Sequence, residues 1–564
     1  MWSTSENQRA VPESITPIEA GAVFSRVGAF VRTGEDPGGT GHAVSVASVT
    51  IRLRGERVGE GLAWGVDDPV GEAMRAARTG AVRRGGDDPE AWSIELELGG
   101  AWTPRAAHTW GELGASAKPG VRGVAARLGV GDGQREAVLT PGRQLRYGMG
   151  PLGVWRRVGA QVGAPLGLLA DVVEQTGVRF YTFECARVAQ RDAGSALMFL
   201  HRLGDIEPLS EVTTPGLQEQ TRLMARFLSA QRMTGMRALG MSGDLHLWSG
   251  MHEPEIAPLR TQMGAALALA RYARTGGVDP ETLAIAREAS ADILVDALVV
   301  EPGETLFVDD PVAAAGFLVA AGELSRSGAL RGDITDALER TRSLVAGFGW
   351  SPEGARVESD VAALVALALI RDHADLGGPE RHREVGATLA RALVTELGGE
   401  EAHTAMPWLA WALVESSEGD ERVVGDVALR ATRDRAERLQ ASDLLLDPED
   451  RDLVGGFLWA EDPGAYPDWR SARIGAMLGL MLGDARLTEP EERVRRLDRV
   501  RRSARFLRQL VVDGQTLWLT PASLDAIGGV REVVWGDSAS VEATAIALIA
   551  LCETLDGVRD AFGD

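Results

Sequence analysis

Up to about Leu200, apolar and polar positions alternate in short runs. "AVSVASVTIRLRG" (Ala43–Gly55), "WSIELELGG" (Trp92–Gly100) and "VRFYTFECARVAQ" (Val178–Gln190) repeat every second residue. That period puts successive side chains on opposite faces and predicts strands. Between them, Asp68–Val82 and Pro165–Gly177 carry the three-to-four-residue spacing of helices. The expectation for residues 1–205 is an α+β domain with glycine-rich loops.

After about Pro215 the alternation gives way to helical spacing. Twelve segments carry it: Gly216–Met233, Ala257–Thr275, Pro280–Val299, Asp310–Ser327, Gly332–Gly347, Ser359–His373, Pro379–Leu397, Thr404–Ser416, Asp420–Arg438, Asp468–Gly483, Glu489–Val512 and Ser538–Leu555. They come in two kinds. The odd ones are charged with a single apolar stripe, as in "EERVRRLDRVRRSARFLRQLV", where Val494, Leu497, Val500, Ala504 and Leu507 share one side. The even ones, such as "DPVAAAGFLVAAGEL" and "SVEATAIALIAL", are apolar all round and rich in small residues. One-stripe helices belong outside and all-round apolar helices inside. Repeated six times, this predicts an (α/α)6 toroid over residues 206–564. An open α-solenoid has similar hairpins but a more regular period.

The connections differ by side. Inner-to-outer links are short ("GGVD", "GALR", "ADLGG", "SEG", "DARLT"), whereas the reverse links include Thr234–Ile256, Gln440–Pro467 and Val512–Asp537. Long irregular segments in a compact domain are usually functional. These hold Trp248, Trp459, Trp518 and Trp535; Trp350 lies in another, and Trp408 and Trp469 open helices. The decorated mouth is therefore expected where the inner helices begin. Acids recur there: Asp309-Asp310, Asp360, Glu461, Asp468 and Asp537, with His403 alongside. Acids and hydroxyls at helix starts serve as caps. Around one mouth they also provide the paired carboxylates that acid–base chemistry on a sugar requires, and indoles provide stacking faces. Asp360, Asp468 and Asp537 are the candidate catalytic groups. Trp248, Asp310, Trp350, His403, Trp408, Trp459, Glu461, Trp469 and Trp535 are the candidate substrate contacts. Glu542, inside an apolar helix, needs a partner.

Net charge narrows the partners. The 564-residue chain carries −22, which disfavours nucleic acid. Two cysteines, Cys185 and Cys552, make neither a metal cage nor a disulfide scaffold, and no histidine pair has metal-ligand spacing. No metal or cofactor is expected. No membrane span is read, and with no leader peptide at the N-terminus the default location is the cytoplasm.

The six hairpins, long tryptophan-bearing loops and apolar inner helices resemble the six-hairpin glycosidase and epimerase-like toroids, and also the terpenoid cyclase and prenyltransferase toroids. "GDLHLWSGMHEPEIAPLRTQMGAALALARYARTG" resembles a phrase of glucuronyl-epimerase-like toroids, in which Arg260 matches an arginine of the site helix; the tyrosines of that family are scarce here, four in all. Upstream, "RGERVGEGLAWGVDDPVGEAMRAA" resembles an AMMECR-type α+β domain without that family's cysteine. The resemblance implies a carbohydrate-active toroid (hydrolase, lyase or epimerase) on an oligosaccharide. The alternatives are a non-catalytic glycan- or protein-binding toroid and an isoprenoid-handling one, whose cavity would be apolar to its floor.

Overall fold

In the computed structural model the described residues are 14–563 without 39–42, 85–87, 131–132, 166, 234–239, 276–278, 299–309, 348–357, 398, 417–418, 460–464 and 522–523. The first region is built on β1 (Val46–Leu53), β2 (Glu56–Trp64), β3 (Trp92–Gly99), β4 (Thr103–Arg105), β5 (Arg122–Leu128), β6 (Arg135–Leu139), β7 (Arg179–Gln190) and β8 (Leu197–Phe199). They form one antiparallel sheet in the order β2-β1-β3-β7-β5-β6, with β4 and β8 paired to β7. Helices α1 (Pro17–Thr33), α2 (Pro69–Arg83), α3 (Trp110–Ala115), α4 (Pro141–Arg146), α5 (Pro151–Val162) and α6 (Leu169–Thr176) surround it.

Period-two alternation usually marks a strand with one wet face. Here β3 is buried throughout. Ile94, Leu96 and Leu98 join the apolar cluster formed with α1 and α2. Glu95 and Glu97, on the opposite face, are equally buried: Glu95 binds Arg52 at 2.7 Å and Arg187 at 2.5 Å, and Glu97 accepts from Thr140 Oγ1 at 2.6 Å. The polar face of the alternation is an internal ion network.

The second region is rich in helix. One set is amphipathic: α7 (Thr214–Ala230), α9 (Pro280–Ala297), α11 (Gly332–Gly347), α13 (Glu380–Glu396), α16 (Gly419–Leu439) and α18 (Arg493–Leu510). The other is buried almost throughout: α8 (Leu259–Tyr272), α10 (Pro311–Arg326), α12 (Ser359–Leu376), α15 (Trp408–Ser416), α17 (Ser471–Gly483) and α20 (Val541–Phe562). Short helices α14 (Gly399–Thr404) and α19 (Gly514–Leu517) lie between them. The buried set packs in the order α17-α20-α8-α10-α12-α15, and α14 and α16 touch α17. Each amphipathic helix lies across two buried ones: α7 on α8 and α20, α9 on α8 and α10, α11 on α10 and α12, α13 on α12 and α15, α16 on α15 and α17, α18 on α17 and α20.

Two expectations change in detail. The segment from Thr404 to Ser416 is not one helix; α14 ends at Thr404 and α15 begins at Trp408, with Pro407, which has no N–H to donate, in the break. The long loops are not wholly irregular either. β9 (Ser242–His246), β10 (His252–Ile256), β11 (Val530–Arg531) and β12 (Ser538–Ser540) form a four-stranded antiparallel sheet, so the last buried helix starts at Val541, not Ser538.

An ion chain runs along the buried helices toward their C-terminal ends. Arg271 of α8 binds Glu553 of α20 at 2.7 Å. Glu323 of α10 receives Arg274 at 3.0 Å and Arg371 of α12 at 2.7 Å. Arg371 continues to Glu415 of α15 at 2.8 Å and lies 4.7 Å from the Trp411 ring centre. At the seam between the regions, Arg202 binds the buried Asp450 and Asp452, and Lys118 binds Asp447 and Asp450.

Candidate functional site

At the N-terminal ends of the buried helices the charges are arranged differently. Asp310 caps α10, its Oδ1 accepting the Ala313 N–H at 3.0 Å. Asp360 opens α12 and accepts the Val361 N–H at 2.9 Å. Arg473, in the first turn of α17, reaches α12, α14 and α20. Its Nη1 donates to the Thr404 carbonyl at 2.8 Å and to Asp360 Oδ2 at 3.4 Å, and its Nη2 lies 4.0 Å from Glu542 of α20. It is also 5.8 Å from the Trp469 ring centre. Asp468 accepts from the Trp459 indole N–H at 3.2 Å, from Arg470 Nε at 2.8 Å and from the Arg470 amide at 2.9 Å. Arg470 covers the Trp459 ring at 5.3 Å.

Glu532 belongs to the same group. Its carbonyl accepts the Trp469 N–H at 2.8 Å. Its carboxyl is pushed above the ordinary value, first by crowding that strips part of its hydration, then by the negative charges of Asp244, Glu542 and Asp468, against the pull of Arg470. The side chain still reaches solvent. Asp244 is raised as well, by burial, while it accepts the Val541 N–H at 2.8 Å. Asp244 and Ser540 together cap α20; Ser540 Oγ accepts the Ala543 N–H at 3.4 Å. Among the described residues no group of three or more His, Cys, Asp and Glu is arranged to hold a metal ion.

The sequence candidates divide. Asp360, Asp468, Trp459 and Trp469 are joined through Arg470 and Arg473, whereas Asp310 caps α10 and no contact links it to them. Arg260 is exposed in the first turn of α8. His403 is buried, edge-on to Trp459 at 6.3 Å between ring centres, and lines an apolar cavity of about 230 Å³ with Leu397, Met406, Leu409 and Leu429. Trp408 is in the helical core, tilted against Trp411 at 5.5 Å. Trp350, Glu461 and Asp309 lie outside the described residues.

Three candidates turn instead to the seam with the sheet region. Trp535 is 4% exposed, edge-on to Tyr466 at 5.1 Å and 5.8 Å from the Arg202 guanidinium. Trp248 contacts Arg52 and Arg146, each 6.0 Å from its ring centre. Asp537 meets neither Asp468 nor Asp360 in a direct contact. Its Oδ2 accepts from His246 Nε2 at 3.2 Å, a tautomer set by the Ser249 N–H, which donates to His246 Nδ1 at 3.1 Å. Gly148, with φ of 54°, lies so close that an added Cβ would come within 2.6 Å of the Asp537 carboxylate. The residues not singled out beforehand are Asp244, Arg470, Arg473 and Glu532. The nearest signal for Glu532 is its place in the long loop that carries Trp535.

No family model matches the chain, and no curated protein matches it either. Among the solved structures that match is an uncharacterized protein from Pyrococcus horikoshii, 12% identical, aligned over 32% of this chain and 93% of that one with a TM-score of 0.24. At that score the likeness bears on neither fold nor function. No helix among the described residues is long and apolar enough to cross a membrane.

Proposed function

We propose that the helical region closes as an (α/α)6 toroid and that the opening at the starts of its inner helices is an oligosaccharide site with carboxylate acid–base chemistry. The packing order of the buried helices and the placing of each amphipathic helix across two of them support the toroid. The observation that carries the functional reading is Glu532, a carboxyl raised by lost hydration and then by Asp244, Glu542 and Asp468, whose backbone carbonyl takes the Trp469 amide N–H. A carboxyl that holds its proton more tightly than an ordinary glutamate is better suited to donate it to a leaving sugar oxygen. A second carboxylate kept in place by N–H donors, as Asp468 is by Trp459 and Arg470, is suited to activate water or to bear the developing positive charge. The indole faces suit the C–H faces of pyranose rings. A non-catalytic binding role draws support from Arg470 and Arg473, which already engage Asp468 and Asp360. An isoprenoid would need an apolar lining instead of these acids.

The test is turnover and binding across a panel of oligosaccharides. Glu532→Gln keeps the shape and removes the titrating proton, so turnover should fall roughly 10²–10⁴-fold while the unfolding midpoint stays put. Wild-type protein that binds glycans without turnover selects the non-catalytic role. Undiminished turnover in Glu532→Gln rejects the acid assignment, and a panel with neither binding nor turnover rejects the carbohydrate reading.

A further inference from the structure

The seam holds a second concentration of charge, opposite in sign to the mouth. Glu60 of β2 receives three guanidiniums: Arg143 Nε and Arg146 Nη1 of α4, each at 3.0 Å on Oε1, and Arg57 Nη1 at 2.5 Å on Oε2. Three cations on one carboxylate leave a local excess of two positive charges in a chain of net charge −22. Arg57 shows the strain of that excess. Burial first, then Arg146, Arg52 and Arg84, make its charged form harder to keep, with only Glu60 opposing. Arg57, Arg143 and Arg146 all keep solvent contact, at 36%, 28% and 14%.

Next to this cluster lie donors without acceptors. Arg146 and Arg52 each lie 6.0 Å from the ring of Trp248, which comes from the helical region. Arg52 is nearly fully buried, and its Nε–H has no hydrogen-bond partner; neither does the buried indole N–H of Trp248. A buried donor left unpaired costs about 1–3 kcal/mol, and a buried polar group without a partner calls for an explanation. The cluster itself sets three guanidiniums on one carboxylate, with these two N–H donors beside it.

We propose that this cluster is a binding site for a compact phosphate-type oxyanion, free or borne on a small molecule, held by Arg57, Arg143 and Arg146 where the sheet region meets Trp248. Guanidinium forks match the geometry of phosphate oxygens and keep their charge at any working pH. The site is separate from the acidic mouth and does not rest on the carbohydrate reading.

Full-length protein is titrated at low ionic strength with inorganic phosphate and, separately, with a hexose monophosphate, by calorimetry and by tryptophan fluorescence. Saturable binding is expected, with Arg143→Gln weakening it at least tenfold and Arg495→Gln, at an exposed position of α18, leaving it unchanged. A hexose monophosphate that binds tenfold tighter than phosphate assigns a phosphomonoester; equal affinities assign the free ion. Glu60→Gln, which removes the competing carboxylate, should tighten binding and serves if Arg143→Gln does not fold. The proposal is overturned by absence of saturation up to about 10 mM, by wild-type affinity in Arg143→Gln, or by unchanged or weaker binding in Glu60→Gln.

Discussion

The two ends of the buried helices are built from the same residue types to opposite effect. Toward the C-terminal ends, Arg271, Glu323 and Arg371 are buried, and their charges alternate in sign from one helix to the next. At the N-terminal ends, Asp360, Asp468, Glu532 and Glu542 outnumber Arg470 and Arg473, and solvent reaches them. Burial decides which role a charge can take. An ion enclosed by protein must be matched, since an unmatched one would cost several kcal/mol, and so it is committed to structure. An acid at an open helix start is stabilised by free N–H groups and the helix dipole, and stays available for chemistry.

The sharpest way to break this contrast is at Arg371. Arg371→Ala takes from Glu323, which has no exposed surface, its one buried direct partner and leaves it the partly exposed Arg274 at 3.0 Å and Arg326 at 3.9 Å. It should lower stability by about 3–5 kcal/mol, read by chemical denaturation; a loss under about 1 kcal/mol would mean the chain of ions is ornamental.

Acid should act on the same chain. Burial opposes ionisation of Glu415, but Arg371 and Arg326 outweigh it and hold its carboxyl down from 4.5 to about 2. A depressed folded value stabilises the protein above the unfolded value and loses that stability as pH falls, here between about 4.5 and 2. Glu415 meets solvent, so after screening the contribution is about 1–2 kcal/mol. Unfolding free energies of wild type and Glu415→Gln should converge across that window; parallel curves would remove Glu415 from the account.

At the N-terminal ends the effects should be smaller. Asp310→Ala removes a cap and should cost about 0.5–2 kcal/mol, whereas Asp310→Asn should cost a few tenths; thermal melts of the pair separate cap from charge. Smallest of all is Asp360→Asn. Its ion pair with Arg473, at 3.4 Å and 31% exposed on the aspartate side, should be worth about 0–1 kcal/mol. A loss above about 2 kcal/mol would make Asp360 a structural ion and erase the difference between the two ends.

Helix positions were legible in the sequence because burial follows periodicity. The segment read as Gly332–Gly347 is helix α11, and eleven more helices start or end within a few residues of their reading. The ion chain was not legible. Arg271 and Arg371 stand inside apolar runs, and nothing local couples Arg271 to Glu553, 282 residues away. Nor does a strand's polar alternation reveal that Glu95 and Glu97 face other charges instead of water. At the N-terminal ends of the buried helices, Asp310 and Asp360 were legible as helix openings, while Asp468, read as one, lies three residues before α17 begins at Ser471. Glu532 was not, since a loop without periodicity gives no facing direction. The same ambiguity explains Trp248, Trp535 and Asp537: a loop has two sides, and these three take the one turned to the sheet region.

The contact between α8 and α20 has a consequence for the life of the chain before it is native. As synthesis proceeds, α8 leaves the ribosome long before its neighbour exists. Until α20 has emerged, α8 keeps an unshielded greasy flank and Arg271 lacks its counterion. The helices that pack on α20 therefore lack part of their burial until it is made. A nascent or clipped chain without α20 would expose that flank, the kind of surface on which chaperones and proteases act.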